Sequence, residues 1–358
     1  MPNVRLSGRV ISDKDPARES RAQLLYLLFA GGWNIFNSNG DQAITLSNIQ
    51  KEITRSDAFV FTPGATLEEL FKAISIFVGF QTLDANLTGK PTVILNSDGS
   101  WGLFFRLLEH LHRCGTIKQD YRDYLVSVDC PATVLEALQR VHEEGLPDPG
   151  RHTDSDESDE SDEETYSHES PPAQGHLGDI CVFCSASIED PDYLADGYEI
   201  GRQLAGAGYG CISGAGKTGI MGSVVNGVVD AGGWAGGSNV PHIIDLEGLP
   251  EGLSAFWLRP DIYTRMEIMI ERSDAFIIFP GGAGTVQEML ALLLLKEAGD
   301  PLMKGKPVLV YDRMDRSGVR FWSPLNDLLS DACCDGSYQV VGTLEDILPA
   351  IKQGILRR

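Results

Sequence analysis

A repeated series of short motifs constrains the fold of this chain more than any other feature of its sequence. Residues 55–64 read Arg-Ser-Asp-Ala-Phe-Val-Phe-Thr-Pro-Gly, and residues 272–281 read Arg-Ser-Asp-Ala-Phe-Ile-Ile-Phe-Pro-Gly. In the same order, Thr66 and Glu69 are matched by Thr285 and Glu288, and a Gly-Lys-Pro precedes a strand-like run in both halves. Ordered matches of this kind predict two copies of one fold in tandem.

The two copies are unequal and an acidic segment separates them. The first copy has far fewer residues between its second strand and the Arg-Ser-Asp motif. Residues 154–169 carry nine carboxylates and no Lys or Arg, and their mutual repulsion predicts an extended, disordered linker. We therefore expect a degenerate domain at 1–144, a linker at 145–176 and a complete domain at 177–358. Phosphorylation of the linker serines by an acid-directed kinase is an alternative role for this segment.

Apolar, β-branched runs alternate with helical patterns in the second half. Strands are predicted at residues 180–184, 210–213, 242–246, 275–279 and 308–311, with helices between them. This alternation is typical of an α/β fold with a doubly wound parallel sheet, a Rossmann-like arrangement covered by helices on both faces. Ligands bind such sheets at the carboxyl ends of the strands, where two glycine clusters lie.

The first glycine cluster is Ser-Gly-Ala-Gly-Lys-Thr-Gly-Ile-Met-Gly at residues 213–222, between a strand and a helix. Glycines let the backbone approach an anion, and a helix N-terminus offers N–H groups without helical partners. The cluster is neither a clean dinucleotide fingerprint nor a Walker loop. It predicts an anion site, with a glycine turn that only packs as the alternative.

The second cluster, Pro-Gly-Gly-Ala-Gly-Thr at residues 280–285, also follows a strand and opens a helix. Thr285 is expected to cap the helix and to donate its hydroxyl to a phosphate. Glu288 lies one turn into that helix, where the helix dipole stabilises a carboxylate. A capping box between Thr285 and Glu288 is the alternative. Arg265 on the preceding helix favours a site, because that helix and this loop can reach one crevice.

These residues carry a resemblance to a known family. Residues 265–269, 273–276 and 280–288 resemble the signature of the LONELY GUY family of nucleoside 5′-monophosphate phosphoribohydrolases, whose members are often mislabelled lysine decarboxylases. Residues 182–187 and 216–222 resemble its first strand–loop and its glycine-rich loop. Pro-Asp-Ile ahead of the arginine is similar to the larger bacterial monophosphate nucleosidases of the same superfamily.

The resemblance implies a Rossmann-like fold, free base and ribose 5-phosphate as products, and no metal or organic cofactor. It gives the catalytic roles to Arg265 and Glu288. Gln287 and Met266 depart from the family, where a second Glu and, in plant-type members, a Lys are common; the base, including any cytokinin specificity, is left open. The residues expected to bind the phosphate or nucleotide are Ser185, Gly214, Gly216, Gly219, Met221, Gly222, Gly281, Gly282, Gly284 and Thr285.

The first copy lacks the residues expected to form the site. Its loop at residues 63–66 is missing two of the glycines, and Asn48 stands at the position that matches Arg265. We expect a non-catalytic copy that packs on the second domain or binds a regulator.

Two functions other than hydrolysis are considered for the second copy. A nucleotide or molybdenum-cofactor carrier on the same fold is the alternative, but a carrier needs only the phosphate loops and not an Arg–Glu pair. An amino-acid decarboxylase is disfavoured, because Lys217 and Lys296 lie on a loop and a long helix rather than in a pyridoxal-phosphate setting.

The amino-acid composition argues against some classes of binding partner. The net charge of −22 argues against nucleic acid, and no apolar run is long enough for a membrane span. The seven cysteines, which include Cys181 and Cys184, are irregularly spaced, so we interpret them as structural. The sequence shows no signal-peptide core, so we expect a cytoplasmic location. The leucine-rich run at residues 289–295 should be buried in the core or in a subunit interface. We expect a homo-oligomer, a dimer, acting on a small-molecule nucleotide.

Overall fold

The computed structural model describes residues 2–8, 17–37, 43–84, 90–147, 167–316 and 318–356. The chain forms two compact units, residues 1–149 with 324–333, and residues 150–323 with 334–358. Residues 148–166, which hold most of the acidic run of the predicted linker, lie outside the described residues. Among the described residues, no helix is long and apolar enough to cross a membrane.

The first unit contains a five-stranded sheet in the order β2-β1-β3-β4-β5, in which all pairs are parallel. Helices connect the strands. The elements are β1 (Asn3–Ser7), α1 (Ala17–Ala30), β2 (Asn34–Asn37), α2 (Leu46–Arg55), β3 (Ala58–Phe61), α3 (Leu67–Gln81), β4 (Thr92–Leu95), α4 (Gly102–Arg113), β5 (Leu125–Val128) and α5 (Pro131–Glu144).

Residues 168–356 supply an eight-stranded sheet and its helices, although residues 324–333 among them belong to the first unit. The elements are β6 (His168–Glu169), β7 (Asp179–Phe183), α6 (Pro191–Gly206), β8 (Gly210–Ser213), α7 (Gly219–Asp230), β9 (Ala235–Asn239), α8 (Pro241–Glu247), β10 (Ala255–Leu258), α9 (Ile262–Arg272), β11 (Ala275–Ile278), α10 (Ala283–Glu297), β12 (Val308–Tyr311), α11 (Ser323–Asp331), β13 (Gln339–Val341) and α12 (Ile347–Leu356). The strand order is β13-β12-β11-β7-β8-β9-β10-β6. Every pair is parallel except β10 with β6.

The two sheets confirm the predicted α/β fold and its duplication. From β7 the chain winds to one side through β8, β9 and β10, then returns and winds to the other side through β11, β12 and β13. The order β8-β7-β11-β12-β13 reproduces β2-β1-β3-β4-β5 of the first unit. The second copy has two further strands, β9 and β10, where the first passes from β2 through α2 to β3. The first copy is therefore trimmed at one edge of its sheet.

The repeated Arg-Ser-Asp motif has a structural explanation in both copies. Ser56 and Ser273 end helices α2 and α9, and each hydroxyl donates to a carbonyl four residues earlier at 2.7 Å. The following Asp57 accepts from the amide of Asn3 at 2.7 Å, and Asp274 accepts from the amide of Asp179 at 3.2 Å. The motif thus ties the end of a helix to the start of the central strand.

One predicted strand is wrong. Residues 242–246 belong to helix α8, and the strand lies earlier, at β9, with the sequence Ala-Gly-Gly-Ser-Asn. A methyl group added at Gly236 would lie 2.8 Å from the ring of Trp234, and one at Gly237 would lie 2.7 Å from Cβ of Ala215. The strand is therefore made of small residues because its neighbours leave no room for larger ones.

The end of the predicted linker is part of the sheet. The short strand β6 pairs antiparallel with β10. Glu169 accepts from Arg272, and the Arg272 guanidinium lies 5.1 Å from the centroid of the Trp257 ring. The segment after Ser167 is thus held by backbone pairing and by side chains.

Helix α10 is buried along most of its length. The side chains of residues 289–295 are each at most 2% exposed in a single copy of the chain. The helix therefore needs no second copy to cover it, and the predicted homo-oligomer gains no support from this run.

Candidate functional site

The candidate site lies at the carboxyl ends of β7, β8, β9 and β11, where the winding of the sheet reverses. In a doubly wound sheet this is the position at which ligands bind. The two glycine clusters follow β8 and β11, and Ser185 lies two residues after the end of β7. The topology therefore brings the predicted loops to one edge of the sheet.

The loop after β8 is shaped by glycines that have no room for a side chain. Gly219 begins α7 with a φ of 60°, in the left-handed region that favours glycine. A methyl group at Gly214 would clash with Nη2 of Arg265, and one at Gly216 would lie 2.8 Å from Oε2 of Glu247. A methyl group at Gly222 would clash with the carbonyl of Lys217. Gly222 thus packs the loop on its helix, while Gly214 and Gly216 face charged side chains.

Ser185 and Met221 hold the loops together. The Ser185 amide donates to the carbonyl of Pro280 at 3.2 Å, and its own carbonyl accepts from the Met221 amide at 3.1 Å. The Met221 sulfur accepts from the amide of Gly216 at 2.9 Å. Both side chains are buried. They connect the loops that follow β7, β8 and β11, so their position is that of scaffold residues.

The loop after β11 differs from the prediction in its cap. Helix α10 begins at Ala283 with Gly282 as its N-cap residue, so Thr285 lies inside the first turn rather than at the cap. A methyl group at Gly281 would clash with the Thr285 hydroxyl. A methyl group at Gly284 would lie in open space among the described residues. Glycine at the cap lets the helix start earlier, and its first N–H groups then stand at the edge of the sheet.

The side chains of Arg265 and Glu288 lie next to each other at this edge of the sheet. Nε of Arg265 donates to the carbonyl of Ser238 at 2.9 Å, and Nη2 donates to the carbonyl of Gly214 at 3.5 Å. Nη1 lies 3.6 Å from Oε1 of Glu288. The two residues are 8% and 6% exposed. The predicted pair is thus buried, and the arginine is oriented by backbone carbonyls after β8 and within β9.

Helix α9 places Arg265 by ordinary capping. Asp261 is the N-cap residue, and its carboxylate accepts from the amides of Tyr263 and Thr264, each at 2.9 Å. Carboxylates at this position stabilise the first helical turn. Arg265 follows one turn later, and its guanidinium reaches back over the carboxyl ends of the strands.

A second carboxylate, Glu247, was not foreseen. It is the last residue of α8, and its Oε2 lies near Gly216. Burial raises the pKa of Glu247, although Arg265 opposes the shift. Burial also raises the pKa of Glu288 to about 7, with Arg265 lowering it and Glu247 raising it. No sequence motif identifies Glu247. The sequence predicts a strand at residues 242–246, whereas it is the helix α8 that brings Glu247 to the site.

The first copy forms a capping box at the position that corresponds to Thr285 and Glu288. The amide and hydroxyl of Thr66 both donate to Glu69, which completes a capping box at the start of α3. Asn48, at the position of Arg265, donates to the carbonyl of Ala43 at 2.8 Å. A capping box thus forms at Glu69 in the first copy. The capping box considered for Thr285 and Glu288 is not formed, because Gly282 is the N-cap residue of α10 and Glu288 faces Arg265.

The buried Glu69 gives a stability prediction. Burial raises its pKa from 4.5 to about 7, so as the pH rises through this range the folded protein must ionise a buried carboxyl and loses stability. Glu69→Gln keeps an acceptor for the capping box and removes the charge. We expect it to stabilise the protein at pH 8 by up to about 3 kcal/mol and to have little effect at pH 5. Urea unfolding of both proteins at the two pH values measures this, and an equal change at both would contradict it.

The Cys181–Cys184 pair lies in and directly after β7. Both thiols are buried, and burial raises their pKa well above the ordinary value, with Glu288 adding to the shift. Such thiols stay protonated at neutral pH, and the thiolate is the form that binds metals. Among the residues that the structure describes, no group of His, Cys, Asp or Glu is arranged to hold a metal ion.

A family model described as "Possible lysine decarboxylase" matches residues 34–138 and 221–351, together more than half of the chain. This chain belongs to that family, the LONELY GUY family. The matched ranges fall in both halves of the sequence, and the second contains Arg265 and Glu288.

Relatives in the LONELY GUY family share about a third of their residues with the chain over the matched segments. The cytokinin riboside 5′-monophosphate phosphoribohydrolase of Mycobacterium tuberculosis is 30% identical over 151 residues, which is 42% of this chain and 78% of that protein. A probable enzyme of the same name from Oryza sativa subsp. japonica is 33% identical over 141 residues. That match covers 38% of this chain and only 58% of the rice protein.

Among solved structures, the Moco carrier protein of Chlamydomonas reinhardtii is 20% identical, with coverage of 51% of this chain and 99% of that chain. The TM-score is 0.39. A likeness at this level gives no information on the ligand of the present chain.

Proposed function

We propose that the second copy hydrolyses the N-glycosidic bond of nucleoside 5′-monophosphates. Water adds to C1′ of the ribose, the bond from C1′ to the base nitrogen breaks, and the products are ribose 5-phosphate and the free base. The observation that carries the proposal is the buried Arg265–Glu288 pair, at 3.6 Å, above a glycine loop that starts a helix. A binding protein would need the loop but not the pair.

Each part of the site has a role in this reaction. The amides at the start of α10 and the Thr285 hydroxyl hold the 5′-phosphate, which fixes the sugar in place. Breaking the bond builds positive charge on the ribose, and the Glu288 carboxylate stabilises that charge or orients the attacking water. Arg265 contacts the phosphate or the departing base. Because both side chains are shielded from water, their electrostatic effect on the transition state is strong.

A panel of nucleoside 5′-monophosphates tests the proposal. The purified full-length chain is incubated with purine, pyrimidine and N6-substituted adenine nucleotides, and free base is separated by chromatography. Release of base from at least one nucleotide, with ribose 5-phosphate in equal amount, is expected. Binding of a nucleotide that is recovered intact would instead indicate a carrier. The cytoplasmic location and the homodimer remain predictions from the sequence.

The raised pKa of Glu288 gives a pH prediction. If the carboxylate is the active form, kcat/KM rises with pH until the group, with its pKa near 7, is ionised, and then levels off. The substrate phosphate also titrates, near pH 6. The residual activity of Glu288→Gln is therefore the control: it should keep the phosphate step and lose the step near 7. An unchanged profile in this variant would contradict the assignment.

A further inference from the structure

The first copy contains a cavity of about 640 Å³ beside β2, the strand at one end of its sheet. Small-molecule sites in proteins typically measure about 300–1,000 Å³. The walls come from β1, β2 and the last turn of α2, all within the first unit. Two arginines, two asparagines and a phenyl ring make the walls cationic and aromatic. The lining residues are Asn3, Arg5, Ile35, Phe36, Asn37 and Arg55.

The same positions are closed in the second copy. The hydrogen bonds of the Arg-Ser-Asp motif align the start of β1 with the start of β7, so Arg5 corresponds to Cys181. In the paired strands Arg5 lies opposite Phe36, and Cys181 lies opposite Ile212. Cys181 and Ile212 are fully buried, and β9 pairs with the strand of Ile212, whereas Phe36 is 48% exposed. A cation and an exposed ring thus stand where the second copy has core residues.

Arg5 and Arg55 make the cavity cationic. The Arg5 guanidinium lies 5.7 Å from the centroid of the Phe36 ring, so it stands beside the aromatic wall. Burial lowers the pKa of Arg5, Glu52 opposes this shift and Arg55 adds to it. The Glu52 carboxylate is paired with Lys72 at 2.8 Å. Since both arginines stay ionised at neutral pH, an anion bound between them relieves their repulsion.

The second copy shows which groups the arginine of the motif binds. Arg272, which corresponds to Arg55, donates to Glu169 and lies 5.1 Å from the centroid of the Trp257 ring. The Trp257 indole N–H donates to the same carboxylate at 3.3 Å, so ring and carboxylate are joined. They belong to β10 and β6, which have no counterpart among the described residues of the first copy. Within those residues Arg55 forms no hydrogen bond or ion pair.

We propose that this cavity binds a small molecule in which an anionic group is joined to an aromatic ring. The anionic group takes the place of the Glu169 carboxylate and binds Arg5 and Arg55. The ring takes the place of the Trp257 indole and packs against Arg55 and Phe36. A planar guanidinium suits both contacts, because it binds anions through paired hydrogen bonds and stacks on aromatic rings. Nucleotides and aromatic carboxylates share this chemistry. The inference does not depend on the hydrolase activity proposed for the second copy.

Calorimetric titration of the full-length chain tests the proposal with three probes: indole-3-carboxylate, adenosine 5′-monophosphate and inorganic phosphate. The nucleotide is titrated into Glu288→Gln, in which release of the base should be slow. We expect at least one of the two ring-bearing anions to bind at least ~10-fold more tightly than phosphate, because the ring adds stacking to the charge interaction. Binding of phosphate as tight as that of both other probes would overturn the proposal.

Variants of the cavity wall locate the binding. Arg55 is exposed, and Arg55→Leu should weaken binding of the ring-bearing probe at least ~10-fold without unfolding the protein. Phe36→Ala should weaken it in the same direction. Arg140→Leu, at an exposed position of α5, is the matched control and should bind as wild type. Unchanged binding of both ring-bearing probes in Arg55→Leu, or an equal loss in Arg140→Leu, would overturn the proposal.

The same titrations separate the two sources of the ligand and keep the cavity distinct from the catalytic site. Weaker binding of indole-3-carboxylate alone identifies an aromatic carboxylate. Loss of one nucleotide-binding event in Arg55→Leu, with the other retained, identifies a nucleotide. Base release by Arg55→Leu should match wild type, so a chain that releases no base overturns the proposed hydrolase and leaves the cavity result standing.

Discussion

Replacement of Glu288 by glutamine should lower kcat/KM for base release by at least ~10²-fold while the protein stays folded. Glutamine has nearly the same shape but cannot carry the negative charge that opposes the cation forming on the ribose. Arg265 keeps its hydrogen bonds to the carbonyls of Ser238 and Gly214 in this variant, so the protein should remain folded. Steady-state kinetics, with thermal unfolding as the check on folding, measures both expectations.

Arg265→Leu should show a loss of activity of similar size, because the guanidinium is held over the site by the carbonyls of Ser238 and Gly214. The matched control is Glu297→Gln, at the exposed end of the same helix as Glu288, which should behave as wild type. Near-normal release of base by either Glu288→Gln or Arg265→Leu would remove these residues from the chemistry.

The second large effect is expected at Gly284, where stability and affinity should move in opposite directions. Gly284 lies in the first turn of α10 with open space around the position of a methyl group. Gly284→Ala should stabilise the free protein by about 0.5–1 kcal/mol, because alanine loses less conformational entropy in a helix. If the phosphate occupies that space, the same methyl group should raise KM for the nucleotide at least ~10-fold.

Gly206→Ala is the control for this prediction. Gly206 is the last residue of α6, and it also has open space where the methyl group of an alanine would lie. Its replacement should leave KM at the wild-type value. A Gly284→Ala protein that binds the nucleotide as well as wild type would show that the anion does not sit at the start of α10.

Most strands of the second half can be predicted from local sequence patterns. Four of the five predicted strands of the second half lie where β7, β8, β11 and β12 are found, because buried parallel strands are continuous apolar runs. Strand β9 has no apolar pattern in the sequence, because two Trp rings and Ala215 leave room only for small residues. The isoleucines within residues 242–246 predict a strand, whereas Pro241 starts a helix there.

The duplication, the parallel sheet and the pairing of Arg265 with Glu288 are predictable from the amino-acid sequence alone. These follow from periodicity and from motifs that recur at fixed spacing. The three-dimensional structure is needed to show that Glu69 closes a capping box while Glu288 faces an arginine, and that Glu247 lies beside the site. The reason is that burial and ion pairing depend on which strands become neighbours, and residues far apart in the chain set that order.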